Sequence, residues 1–336
     1  MADDVAGYKA AAKLYNALMT GLVLTLVSQK DAESARRFVF AHFRRQHLEK
    51  FLPGLKKLGL DTLPDAVACA QYHYFSNALG GVKTEYVKES DRKAWVRYPP
   101  PRWIWQGTAI CGIPREVNEA MLHGWHGHNG VSLGNPRLGF VCTRQTVDGD
   151  PGLEGYYFEY DREIAPEERV CFVNDEHMPD FDPAAAPKLD SVNWPEERLR
   201  KVERSYAMEY VRSFLPATQE LFGVEEAERL VARTAQLIGL QFYEETAAML
   251  GIAGNSAEDF ARYLAALAIA QGENVTRDGT IVTQTGWKLL SGVTVPDERA
   301  AFRAWNALWL GALAAHNRHL QLRTEYSGNR IVWQAQ

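Results

Sequence analysis

"DAESARRFVFAHFRRQHLEKFLPGLKKLGLDTLPDAVACAQYHYFSNALGG", residues 31–81, and "GVEEAERLVARTAQLIGLQFYEETAAMLGIAGNSAEDFARYLAALAIAQGE", residues 223–273, carry the same order of events. Slid by 192 positions, they overlay without a gap. Ala35 falls on Ala227, Arg37 on Arg229, Val39 on Val231, Leu58-Gly59-Leu60 on Leu250-Gly251-Ile252 and Gly80 on Gly272. A little further on, Trp95 meets Trp287. Identity is low, but glycine punctuation and helical phasing coincide, which marks a diverged internal repeat. Each copy opens with an acidic cap and a long amphipathic helix that stops at a glycine suited to a left-handed C-cap. A second helix is expected over 65–79 and 257–271.

Outward from these helices, "GVKTEYVKESDRKAWVRYP" (81–99) and "ENVTRDGTIVTQTGWKLL" (273–290) alternate as strands do. A further helix is expected over 115–127 and 297–315. A hairpin closes each copy, at 137–161 and 319–336, the second turning at Ser327-Gly328-Asn329. Residues 176–198, rich in Pro, Ala and Asp, read as a linker. The expected fold class is α+β. Two tandem diverged repeats, 1–178 and 193–336, flank a linker at 179–192; each packs helices on an antiparallel sheet, and together they form an internal pseudo-dimer.

A chain of 336 residues has room for two domains. A net charge of −5 offers no basic surface to nucleic acid. The one basic run, "RRFVFAHFRRQHLEKFLPGLKK", alternates with apolar residues as the solvated face of an amphipathic helix does. Cys69, Cys111, Cys142 and Cys171 are too scattered for a disulfide framework. The apolar "ALMTGLVLTLV" near the N-terminus is short, lacks a basic leader and runs into a charged helix, so neither a signal peptide nor a membrane span is expected. These features predict a cytoplasmic protein with reduced thiols and no nucleic-acid or membrane partner, with a homo-dimer left open.

The copies differ in chemistry. The first holds all four cysteines and seven of the nine histidines. "MLHGWHGHNG", residues 121–130, places His123, His126 and His128 within six positions, where the second copy has the core-like "FRAWNALWLGALAAHNRHLQL". On a helix from Pro114, Glu119, His123 and His126 share one side, and the i, i+3 spacing of His123 and His126 predicts that both face one pocket. The cluster reads either as a polar helix end that caps carbonyls or as an acid–base site working near neutral pH. Its spacing also leaves room for zinc or manganese, but Gly124, Gly127 and Gly130 loosen a backbone that a metal needs held, so metal-free chemistry is preferred. Nucleotide-binding fingerprints and HExxH are absent, and no cofactor is expected.

Cys142 in "GFVCTRQ" and Cys111 in "TAICGIP" are either small buried hydrophobes or nucleophiles, the latter if a histidine of the cluster reaches them. Tyr72, Tyr74, Trp103, Trp105 and Trp125 either fill core or line an apolar pocket for a flat substrate.

The order of helices, the "NPRLGFVC" strand and the "VDGDPGLEGYYFEYD" ending resemble the family around L-2-amino-thiazoline-4-carboxylate hydrolase. That family is similar to the 4-vinyl reductase-type small-molecule-binding domains of aromatic-sensing transcription activators. Cys142 matches the first cysteine of the pattern, and Gly149-Asp150 followed by Tyr157-Phe158 matches its hairpin loosely. The second cysteine is absent, which argues against a cysteine-rich zinc site. The resemblance implies an α+β fold and either hydrolysis of a carbon–nitrogen bond in a small ring compound or binding of a small aromatic effector. The expected function is therefore a hydrolase or lyase of aromatic-compound metabolism, acting on a small cyclic or aromatic substrate in the first copy. The alternative is a non-catalytic binding protein for a small aromatic ligand.

Overall fold

The computed structural model describes residues 2–101, 104–190 and 192–336. The architecture is mixed α+β with two largely antiparallel sheets. Contacts divide the chain into two units: Leu26–Val202, here the central unit, and the residues up to Thr25 together with Glu203–Gln336, here the flanking unit. The division falls elsewhere than the expected 1–178 and 193–336, because α1 (Ala2–Gln29) gives its residues up to Thr25 to the flanking unit.

In the central unit, α2 (Ala32–Leu58) begins where the Asp31 carboxylate accepts the Ser34 N–H at 2.6 Å. It ends at Gly59, whose φ of 70° suits glycine. Then follow α3 (Asp65–Leu79), β1 (Glu85–Lys88), β2 (Lys93–Tyr98), α4 (Arg115–Gly124), the short α5 (Asn129–Leu133), β3 (Leu138–Arg144), β4 (Leu153–Glu159) and β5 (Val170–Phe172). The sheet order is β1-β2-β4-β3-β5. Neighbours are antiparallel except β5, an unanticipated strand that runs parallel to β3.

Side chains alternate across this sheet. On one face α3 lies across β2 and β4, over Tyr98 and Tyr157. Gly155 is required here: a Cβ would sit 2.6 Å from the Phe140 ring and 2.4 Å from the Val141 carbonyl oxygen. On the other face Trp95, Val141 and Tyr156 form a core covered by Val87, Phe158, Val173 and Met178. Lys93 lies over the Tyr156 ring and pairs with Glu176, and the Met178 N–H donates to Glu154 at 3.0 Å. The chain entering the expected linker is thus strapped onto the sheet. Beyond that segment Trp194 is buried against Lys57 and Arg198, so the expected linker 179–192 lies inside the central unit.

The flanking unit contains α1 up to Thr25, α6 (Glu196–Phe222) from Glu203, α7 (Val224–Met249), α8 (Ala257–Ala270), β6 (Asn274–Asp278), β7 (Ile281–Thr285), α9 (Glu298–His316), β8 (Leu322–Tyr326) and β9 (Arg330–Ala335). Its sheet order is β6-β7-β9-β8 and every pairing is antiparallel. The β8–β9 hairpin turns at Gly328 with φ 79°, as expected. Trp95 and Trp287 are not equivalent: Trp95 lies within β2, while Trp287 follows β7. The gapless overlay fails at the first hairpin turn, which takes residues 89–92 in the central unit and only 279–280 in the flanking one. Val5–Gln29 is long and apolar enough to cross a membrane by length and composition, yet 67% of its apolar 18-residue stretch is buried inside the protein, as in a core helix.

Candidate functional site

The helix expected over 115–127 ends at Gly124. Trp125 has φ −100° and ψ −70°, and a 3-10 turn over His126–His128 leads into α5. Successive side chains diverge by about 120° in such a turn rather than 100°. The three rings therefore part company. His123 stays on α4, half-buried, with its ring 6.0 Å from Phe172. His128 meets His47 at 5.1 Å. His126 turns inward and stacks on His73 at 4.1 Å and 8°. The expectation that His123 and His126 share one pocket fails for this reason. The glycines of the stretch are packing devices rather than loose joints. A Cβ on Gly127 would lie 2.7 Å from a Val170 methyl, and one on Gly130 2.7 Å from the Leu138 carbonyl oxygen.

Around His126 the sequence assembles a polar interior. The Asn129 amide donates to the Tyr157 oxygen at 3.0 Å, which directs the phenol proton to His126 Nδ1 at 2.7 Å. His126 then carries its own proton on Nε2. His73 lies 5.9 Å from Trp125, whose indole also faces Tyr72 at 6.2 Å and His47 at 5.5 Å. His47 Nε2 is hydrogen-bonded to Ser132 Oγ at 2.9 Å. Among the described residues, three buried ring nitrogens of this cluster have no hydrogen-bond partner: His47 Nδ1, His73 Nε2 and Trp125 Nε1. Burial pushes His47 and His73 down to about 3, so both are neutral at neutral pH. Burial also lowers His123 and His128. Arg44, the nearby guanidinium, donates to the carbonyls of Gly124 at 2.8 Å and His123 at 3.0 Å, capping α4.

The remaining predicted residues lie apart. Cys142 is buried on β3, its thiol directed to the Arg144 carbonyl at 3.5 Å, and burial pushes it up to about 12. It lines a small recess with Arg115, Arg144, Asp148 and Phe172, away from the His73–His126 stack. Cys111 is exposed in a 3-10 turn over Gly107–Gly112. The Trp105 indole donates to Asn118 at 3.0 Å within a satisfied chain that continues to Gln145. Tyr74 faces Tyr86 and Phe181 rather than the cluster. Trp103 lies outside the described residues. Among the described residues no group of three or more His, Cys, Asp or Glu could hold a metal ion.

His47, His73, Asn129 and Tyr157 were missed by the sequence reading. A signal existed for two of them. His47 stands between Phe43 and Phe51 at four-residue spacing, and His73 one turn after Cys69, both on buried helix stripes. No family model, no curated protein and no solved structure matches this chain.

Proposed function

We propose that the central unit binds a small cyclic or aromatic compound against the His47–His73–Trp125–His126 cluster. The observation that carries this reading is the gathering of three unpartnered ring nitrogens, each on a ring in contact with another of the set. A buried polar atom left unsatisfied costs about 1–3 kcal/mol, and native interiors hold few of them. A ligand that supplies the missing partners recovers that cost, and Trp125 and His128 are the half-buried members of the cluster. The flanking unit also has unpartnered indoles at Trp287 and Trp309, but neither meets an unpartnered imidazole.

A hydrolase or lyase acting on the same class of compound is the second reading. The oriented Tyr157–His126 hydrogen bond favours it, since acid–base catalysis needs an imidazole held in one tautomer. His73, near 3, and the Cys142 thiol, near 12, are poor matches to chemistry at neutral pH, so ligand binding is preferred. The shared strand order supports two tandem diverged repeats, the pseudo-dimer being part of the same proposal, with the flanking unit as scaffold. There His316 is satisfied at both nitrogens, by the Tyr243 hydroxyl and the Ser256 carbonyl. Four free thiols fit a cytoplasmic setting.

Thermal unfolding in phenol, indole, benzamide and 2-amino-thiazoline-4-carboxylate tests the reading. Saturation with a ligand at 100 times its Kd adds about 2.7 kcal/mol. At least one compound is expected to raise the midpoint in the natural protein and in His316→Ala, and to do so clearly less in His73→Phe and Trp125→Phe. A rise undiminished by both aromatic replacements, or no rise with any compound, contradicts it.

A further inference from the structure

We infer that the ligand of this cluster is electrically neutral and planar and presents a hydrogen-bond acceptor to Trp125 Nε1. This rests on the ligand-binding reading and names the chemistry the site selects.

The nitrogens set the hydrogen-bonding pattern. An indole N–H only donates, so the atom opposite Trp125 Nε1 must accept. His47 Nδ1 and His73 Nε2 adopt whichever role the ligand requires, since a neutral imidazole exists as two tautomers. Ring faces dominate the surroundings: Phe51 stacks on His47, Tyr72 on Trp125 and Tyr157 on His73, while Phe140 is tilted against His126 and Tyr98 meets His73 edge-on. Flat surfaces of this kind favour a flat ligand.

Charge is excluded by what surrounds the nitrogens. Arg44 influences His47 and His128, but its guanidinium is engaged by the two carbonyls that end α4. Arg169 acts on His128, at the edge of the cluster. Asp65, which acts on Cys69 beneath it, accepts from Asn135 at 2.7 Å. Among the described residues, an anion brought between these rings loses its hydration and gains no counter-ion, and a cation meets no carboxylate. The histidines do not supply the charge either, because burial keeps His47 and His73 neutral down to about 3.

Calorimetric titration at pH 7 with pairs of one shape and two charges tests this: benzamide with benzoate, and indole-3-carboxamide with indole-3-carboxylate. The amides are expected to bind, and the carboxylates to bind at least roughly 100-fold more weakly. Trp125→Phe keeps a ring face and removes the donor, so amide affinity is expected to fall about tenfold. Carboxylates that bind as tightly as the amides overturn neutrality while leaving the ligand site standing. Amide affinity unchanged in Trp125→Phe overturns the acceptor assignment. Silence from all four compounds overturns the ligand reading itself.

Discussion

In the flanking unit α9 runs unbroken from Glu298 to His316 and meets α7 backbone to backbone: a Cβ on Gly239 would lie 1.9 Å from the Leu308 carbonyl oxygen, and one on Gly311 1.9 Å from that of Gln236. In the central unit α4 stops at Gly124, and it approaches α2 there, where a Cβ would lie 2.8 Å from the Phe40 carbonyl oxygen. The overlay of the two helical stretches sets His47 on Gly239. Backbone contact leaves no space for side chains between two helices. Where α4 ends early, the chain turns through 125–128 and brings Trp125 and His128 to the His47 ring instead. The same strand order thus supports a sealed helix pair in one unit and a set of ring nitrogens in the other.

Gly239→Ala should break the sealed pair. The added methyl meets backbone, which cannot swing aside, so a loss of about 3 kcal/mol is expected for the flanking unit, read by hydrogen exchange of α7 and α9. Exchange in α2 and α3 should change little. Equal loss in both units would remove the distinction between them.

The units should also answer pH with opposite signs. His47 and His73 sit near 3 in the folded chain against an ordinary 6.5, so the unfolded chain takes up protons first as pH falls. Their contribution is full above 6.5 and is lost as pH drops toward 3. Glu273 in the flanking unit is 7% exposed, has an unpartnered Oε2 and is pushed up by burial to about 7 from an ordinary 4.5. Its contribution is full below 4.5 and is lost as pH rises through 7. Exchange protection, corrected for intrinsic rates, should therefore fall in the central unit between pH 6.5 and 4 and in the flanking unit between pH 5 and 8. His73→Phe should flatten the first slope and Glu273→Gln the second. A shared slope, or slopes untouched by these replacements, would contradict the assignment.

A finer contrast lies in two phenols. Tyr157→Phe removes the proton given to His126 and leaves the Asn129 amide without its acceptor, whereas Tyr243→Phe removes only the hydrogen bond to His316. Losses of about 2 and about 1 kcal/mol are expected in denaturant unfolding. The reverse order would show that the Tyr157 chain is incidental.

Much of the fold was legible because local signals agreed. The Asp31 cap, the Gly59 stop, α3, α8, the two closing hairpins and the strands of 81–99 and 273–290 sit close to where spacing placed them. The break after Gly124 was not legible, since "MLHGWHGHNG" continues a helical pattern while its glycines answer to distant neighbours, Phe40, Val170 and Leu138. That one miss misdirected the site: it put His123 beside His126 and hid His73, which reaches His126 only through the packing of α3 on the sheet. Trp105 and Tyr74 stayed open between core and pocket for a related reason, as composition shows that a ring is buried but not which side chains it faces.

We propose the ligand site for the central unit and not for the flanking one. The tryptophan side-chain N–H resonances in a ¹⁵N–¹H spectrum separate the two, because Trp125, Trp287 and Trp309 all begin without a partner among the described residues and only the first belongs to the cluster. On addition of benzamide, the Trp125 resonance, identified by its absence in Trp125→Phe, should shift saturably and gain protection from solvent exchange while those of Trp287 and Trp309 stay in place. A saturable shift at Trp287 or Trp309 with Trp125 unmoved would contradict the account.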